Sequence, residues 1–278
     1  MTWGAWGKQL STKDMISLIH HCVDCKITTF DHADIYGDYT TEADFGKALK
    51  NSGINRENIQ LISKCGIQYM SSSRPENKVK HYNYNKDYIL WSVEQSLKNL
   101  KTDYLDVLLL HRPSPLLNPI EVAEAVTILK NAGKIKDFGV SNFLPSQIDL
   151  LKQYTHVSVN QIECSITQFN AMFDGSLDYL QTHNIKTMAW SPLGSLFKEN
   201  SPQNQRIDKA LKSLEKHYNV SKDQLLLAWL LKHPANITPV VGTTTPKRLT
   251  QAIEATNIDL NIQDWFDLLV ASQGHKVP

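Results

Sequence analysis

Asp31-His32-Ala33-Asp34-Ile35-Tyr36-Gly37 follows directly on the apolar run Ile27-Thr28-Thr29-Phe30. The run reads as a strand that ends on a carboxylate, with a tyrosine next in a loop that Gly37 lets turn. The same event recurs twice. Ile59-Gln60-Leu61-Ile62-Ser63 ends on Lys64, and Tyr104-Leu105-Asp106-Val107-Leu108-Leu109-Leu110 ends on His111. Three strands that each finish on an ionisable side chain present those groups at their carboxyl ends, where active sites sit in parallel α/β architectures.

Outward from these runs, strand and helix patterns alternate. Strands are expected at Thr28–Asp31, Ile59–Lys64, Tyr104–Leu110, Lys136–Ser141, Val157–Ile162, Lys186–Trp190 and Thr238–Val241, with Met1–Trp3 as the remains of a first one. Helices are expected at Thr12–Cys25, Thr41–Lys50, Lys86–Leu100, Ile120–Ala132, Pro145–Gln153, Ser176–Thr182, Arg206–Tyr218, from the Ser221-x-x-Gln224 cap to Lys232, at Pro246–Ala255 and at Gln263–Ser272. Ser11 with Asp14 marks the first helix start, and Ile89, Val93, Leu97 and Leu100 recur at helical spacing. Strand–helix alternation implies a parallel sheet with helical crossovers. Eight such units in a single domain over 1–278 predict a (β/α)8 TIM barrel. An open doubly wound sheet would carry a G-x-G-x-x-G after its first strand, and neither that nor a phosphate-loop motif occurs.

Composition narrows the function classes. Charged residues make up 21% and nearly cancel to +1, without long runs of either sign, which argues against a nucleic-acid or membrane-surface binder. No apolar run approaches the ~20 residues that span a bilayer, and no secretory leader is evident. Four cysteines in 278 residues do not make a disulfide framework, so a reducing cytoplasm is expected. Cys22-x-x-Cys25 falls late in a helix, away from the N-terminus that would stabilise a thiolate, and reads as structural. No metal-ligand spacing stands out.

The strand ends read, in order, Asp31, Lys64, His111, Ser141-Asn142, Gln161, Trp190-Ser191 and Gly242-Thr243. Taken singly, each has an ordinary explanation: a turn cap, a solvated lysine, a loop histidine, and for Tyr36 a rim aromatic. A closed barrel would bring all of them to one mouth.

FDHADIYG (30–37), ISKCG (62–66), LLLHRP (108–113), GKIKDFGVSNF (133–143), VNQIECS (159–165), AWSPLG (189–194) and VGTTTPKR (241–248), in this order, resemble the aldo-keto reductases along nearly the whole chain. The DHADIYG and SKCG forms are similar to a bacterial subgroup described only broadly as oxidoreductases. The resemblance implies hydride transfer between NADPH and a small carbonyl compound. An unaided tyrosine, with a pKa near ~10, is a poor acid at neutral pH. The resemblance implies Tyr36 as proton donor, with the Lys64 ammonium favouring its ionisation and Asp31 holding that lysine. His111 would donate a hydrogen bond to the carbonyl oxygen or help relay the proton. His32 is kept structural.

For the cofactor, the resemblance implies Ser141, Asn142 and Gln161 as partners of the nicotinamide carboxamide and Trp190 as the ring that stacks on it. Ser191, Leu193 and Gly194 would line the pyrophosphate, Thr243 and Arg248 would meet the 2′-phosphate, and Gln251 the adenine. NADP is thus favoured over NAD. The chain departs from the family pattern at Gly242, where many relatives carry lysine, and at Ala252, where asparagine is usual; the resemblance further implies an N-terminal hairpin and a full first strand, of which the sequence from Met1 is expected to hold only the last part. Trp6 is a candidate aromatic of the substrate pocket, and Gly66–Tyr84 is expected to border the mouth and to move. The competing reading is an NADP(H)-binding regulatory subunit with little turnover; a monomer is the default state.

Overall fold

The computed structural model describes residues 2–278. Its α/β chain divides into two compact units, Met1–Asn160 with Gly242–Pro246, and Gln161–Val241 with Lys247–Pro278.

In the first unit, helix α1 (Thr12–Asp24) starts where Ser11 accepts the Asp14 N–H, and it buries Met15, Leu18, Ile19 and Cys22 along one stripe. Strand β1 (Thr29–Asp31) leads through a short turn labelled α2 (Tyr36–Tyr39) to helix α3 (Thr41–Ser52). Strand β2 (Gln60–Cys65) is buried from Leu61 onward, as a strand covered on both faces must be. A two-residue antiparallel pair, β3 (Ile67–Gln68) and β4 (His81–Tyr82), follows. Then come α4 (Lys86–Leu100), capped by Asn85, β5 (Leu105–Leu110), α5 (Pro119–Asn131), β6 (Ile135–Ser141) and α6 (Pro145–Lys152). Strands β1, β2, β5 and β6 pair in parallel, in that order. Strand β7 (Val159–Glu163) begins here, the Ser158 N–H bonding to the Phe138 carbonyl.

The second unit carries the rest of β7, then α7 (Ser176–Thr182), β8 (Lys186–Trp190), α8 (Pro202–Tyr218), α9 (Lys222–Leu231) and β9 (Thr238–Pro239), which pairs in parallel with β8. Most of α10 (Pro246–Glu254) and all of α11 (Ile262–Gln273) complete it. Helix α8 starts earlier than the expected Arg206 because Ser201 caps it and Pro202 occupies its first turn, where a missing N–H costs nothing. Helices α9 and α11 are clasped by Trp229 and Trp265, whose rings stack 4.9 Å apart while each indole N–H donates to the other's carbonyl.

The expected first strand is not formed. Met1 lies outside the described residues, and Thr2–Lys8 fold into turns. Gly7 N–H bonds to the Gly4 carbonyl and Lys8 N–H to the Thr2 carbonyl, so the backbone there satisfies itself locally rather than across a ladder. Among the described residues seven main strands, rather than eight, are present. Thr2 and Trp3 instead reach the 242–243 segment, the Thr2 hydroxyl donating to the Gly242 carbonyl and the Trp3 indole to the Thr243 carbonyl.

Candidate active site

Register sets the depth of each strand end. Asp31 lies opposite Ile62, while β2 runs on through Lys64 and Cys65, which face Leu109 and Leu110 of β5. Backbone pairing continues past the strand ends: His32 N–H bonds to the Ile62 carbonyl, Asp34 N–H to that of Lys64, and His111 N–H to that of Cys65. The three ionisable endings are thereby fixed on adjacent strands.

The Lys64 side chain is completely buried. Its Nζ lies 2.7 Å from Asp31 Oδ2, 2.7 Å from the His32 carbonyl and 3.4 Å from the Tyr36 hydroxyl. Burial alone would favour the neutral amine, but the adjacent Asp31 carboxylate and the Tyr36 phenol outweigh it and raise the lysine above its ordinary value. His111 is nearly buried, its ring edge-on to Tyr36 at 5.8 Å. Burial, then the Lys64 and Arg112 charges, depress its pKa well below the ordinary histidine value, so the imidazole is neutral at pH 7. Its Nδ1 has no hydrogen-bond partner among the described residues.

Tyr36 is half-buried and is followed by a left-handed turn. Gly37 has φ 61°, and a Cβ there would meet Thr41 Oγ1 at 2.4 Å, so both backbone and space call for glycine. His32 is entirely buried against Phe45, ring centroids 4.4 Å apart, and burial keeps it neutral. Its ring is a packing element, and its backbone carbonyl is the group that reaches Lys64, a role no side-chain pattern announces.

Next to this group sits an acid that the sequence pattern did not single out, its N–H bonded to the Lys64 carbonyl. Asp34 is buried and is met by the Ile35 N–H at 2.7 Å and by the Tyr88 and Ser92 hydroxyls at 3.2 Å each. Burial first, and then the nearby Glu42 carboxylate, push it up to about 7. A carboxyl raised in the fold keeps its proton where the unfolded chain has already lost one, so stability falls as pH rises from the unfolded value toward 7. Asp34→Asn removes that titration. Urea melts from pH 4 to pH 8 should therefore show the variant gaining on the wild type by up to roughly 4 kcal/mol, at 1.36 kcal/mol per unit. A pH-independent difference would mean that Asp34 is ionised throughout.

The other residues singled out from sequence fall in both units. In the first, the Asn142 amide and an Arg112 N–H both donate to the Ser141 hydroxyl, at 2.8 and 3.4 Å, and Thr243 Oγ1 accepts the Thr245 N–H. Trp6 is exposed, with its edge on Tyr69 at 5.7 Å. In the second, Gln161 is buried on β7, and Trp190 ends β8 half-buried. Ser191 (φ 50°) and Gly194 (φ 58°) then turn the chain through left-handed backbone, Gly194 N–H bonding to the Ser191 carbonyl with Leu193 between them. A Cβ at Gly194 would lie 2.0 Å from Thr167 Oγ1. Arg248 is exposed in the first turn of α10, and Gln251 follows on the same helix.

Comparison with known proteins shows the family. Residues 1–269 match the model of the aldo/keto reductase family. The chain is 47% identical to the uncharacterized oxidoreductase YcsN of Bacillus subtilis, covering 96% of this chain and 91% of that one. It is 40% identical to a 6-dehydroglucose reductase of Agrobacterium fabrum, covering 93% and 88%. Among solved structures it superposes on the thermostable aldo-keto reductase Tm1743 with a TM-score of 0.82 at 26% identity, over 97% of this chain and 93% of that one. An aldo-keto reductase from Klebsiella pneumoniae, solved with NADPH, gives a TM-score of 0.77 at 25% identity over 100% and 90%. A buried lysine flanked by aspartate and tyrosine at parallel strand ends, and a family match along nearly the full length, lead to one conclusion: the chain belongs to the aldo/keto reductase family and is an oxidoreductase.

Proposed function

We propose that this protein reduces an aldehyde or ketone to the alcohol with NADPH, and that Tyr36 is the proton donor. The observation that carries the reading is the completely buried Lys64 ammonium, which touches Asp31 on one side and stands 3.4 Å from the Tyr36 hydroxyl on the other. A fixed cation beside a phenol stabilises the negative charge left when the proton departs, and it does so more strongly out of water. Asp31 and the His32 carbonyl hold that cation in place. NADPH, when bound, supplies the hydride. Charge then builds on the substrate oxygen, and Tyr36 delivers the proton that quenches it. His111, held neutral, acts as a hydrogen-bond donor that orients the carbonyl oxygen rather than as a proton store.

The chain's residues suit the dinucleotide. Ser191 and Gly194 turn the chain through left-handed backbone at the segment where the family resemblance implies the pyrophosphate. Lys247 and Arg248, exposed at the start of α10 and in no ion pair among the described residues, suit the 2′-phosphate in charge. Lys247 thus offers a cation at the start of α10, while position 242, where many relatives carry lysine, is glycine. Ser141, Asn142 and Gln161 offer hydrogen-bonding groups for the carboxamide, Trp190 a flat face for the ring, Thr243 a hydroxyl for the phosphate, and Gln251 an amide for the adenine. Arg248→Ala should raise the KM for NADPH by about tenfold, the value of one charge-assisted contact, and leave that for NADH unchanged. Equal effects on both cofactors would remove Arg248 from the phosphate site.

One relative is named for 6-dehydroglucose, so sugar aldehydes belong among the compounds to test. Four cysteines, none in a disulfide among the described residues, accord with a cytoplasmic setting. The deciding assay follows NADPH absorbance with a panel of aldehydes, ketones and oxidised sugars. Turnover by the wild type supports the reading. Tight NADPH binding without turnover on any carbonyl favours the regulatory-subunit reading instead.

A further inference from the structure

Three successive residues after Tyr36 have left-handed backbone: Gly37 (φ 61°), Asp38 (φ 59°) and Tyr39 (φ 64°). Only the first is glycine. L-residues avoid this conformation, and a run of it persists only where the surroundings over-determine it. Beyond the turn's own bonds, from the Tyr39 N–H to the Ile35 carbonyl, the Thr40 N–H to the Tyr36 carbonyl and the Thr40 hydroxyl to the Gly37 carbonyl, the surroundings come from one distant segment, residues 69–74. The Asp38 carboxylate accepts hydrogen bonds from the Tyr69 hydroxyl at 2.8 Å, from the Ser71 hydroxyl, and from the Ser72 hydroxyl at 3.5 Å. The Ser73 hydroxyl reaches the Asp38 carbonyl at 3.4 Å. The Tyr39 ring stacks on Tyr69 at 5.6 Å and 14°, and the Arg74 guanidinium stands 4.7 Å from its centroid. The Ser71 and Tyr69 bonds hold the Asp38 carboxyl below its ordinary range.

Tyr36 is held both by its backbone and by its ring, which packs against Ala33, Ile35 and Ile67 and lies edge-on to His111. Its N–H bonds to the Ala33 carbonyl, and its hydroxyl meets Lys64 at the long distance of 3.4 Å. Where the phenol points therefore depends on that packing together with the turn that follows it. We propose that Asp38 is a positioning residue for Tyr36: by gathering the hydroxyls of Tyr69, Ser71 and Ser72 it holds the left-handed turn, and so keeps the phenol at the Lys64 ammonium. This rests on Tyr36 being the proton donor. It also gives the 66–84 segment a task other than contact with substrate.

Asp38→Ala keeps the strained turn and removes what holds it. Its kcat should fall by about 10-fold to 100-fold, the scale of a small misplacement of a reacting group. NADPH affinity and the carbonyl KM should stay within about twofold, because no ligand contact is lost. The solvent deuterium isotope effect on kcat should grow, since proton delivery becomes the slow step; a purely structural role would not move it. Asp38→Asn keeps an acceptor oxygen and tolerates left-handed backbone, and should restore kcat to within about threefold of wild type. If Asp38→Ala does not fold, the pair Tyr69→Phe with Ser71→Ala removes two of the three bonds, the Ser72 bond at 3.5 Å remaining, and takes its place.

Wild-type kcat in these variants, or a raised carbonyl KM with unchanged kcat, overturns the inference and makes Asp38 a bystander or a substrate contact. Loss of kcat with an unchanged isotope effect overturns it too. Turnover that is lost in Tyr36→Phe but intact in Asp38→Ala removes this inference alone. Absence of wild-type turnover removes the reading of Tyr36 on which it stands.

Discussion

Lys64→Met should lose turnover by roughly 10³-fold and unfold more readily by about 3–5 kcal/mol, the usual cost of breaking a buried ion pair from one side. The two effects share a cause. Methionine fills much of the lysine's volume, so little cavity forms. What disappears is the cation beside the Asp31 carboxylate and the donor to the His32 carbonyl, both at 2.7 Å. The Asp31 carboxylate is itself only slightly exposed, so water replaces the ammonium poorly. The pH dependence has a definite sign. A lysine whose folded pKa is raised contributes stability that is complete below the unfolded value and is lost as pH rises through the folded one. The gap in Tm between wild type and Lys64→Met should therefore be constant from neutral pH to about 10 and close above it. A gap that widens with alkali would mean that Lys64 is neutral in the fold.

Tyr36→Phe removes one oxygen and keeps the ring. Proton donation by a placed side chain is worth roughly 10²–10⁴ in rate, and kcat should fall by that amount. Stability should barely change, because the hydroxyl's contact with Lys64 is long and the side chain is half-buried. NADPH affinity, measured by quenching of tryptophan fluorescence, should match the wild type. Retained turnover would pass the proton-donor role to water or to another group.

Lys64 and His111 were legible in the sequence because strands largely buried on both faces read as apolar runs, and the residue that breaks each run marks its carboxyl end; Asp31 followed from the shorter run ending at Phe30, on a strand whose Thr29 is exposed. The helices were legible from periodicity and caps, Ser11 and Ser221 among them. Other features lay below that signal. The two-residue strands β3 and β4 are too short to alternate visibly. Met1–Trp3 carries strand-like residues, yet Gly4 and Gly7 let the following chain close local bonds instead. Asp34 reads as a polar loop residue until helix α4 is seen to cover it with Tyr88 and Ser92. Lys64 reaches a backbone carbonyl, which no residue identity encodes. Asp38 gains its partners from residues more than thirty positions away, a contact only the tertiary structure reveals. The dinucleotide residues were reachable through resemblance alone, since serine, asparagine and glutamine at strand ends have many ordinary uses.

The central claim is that one buried ammonium does its chemical work by way of one phenol. A double-mutant cycle on kcat, using Tyr36→Phe, Lys64→Met and the pair together, puts that to the test. Groups acting as a unit are non-additive, so the double variant should turn over no more than about threefold slower than the worse single one. If the two losses multiply instead, lysine and tyrosine act independently, and the account given for this site is wrong.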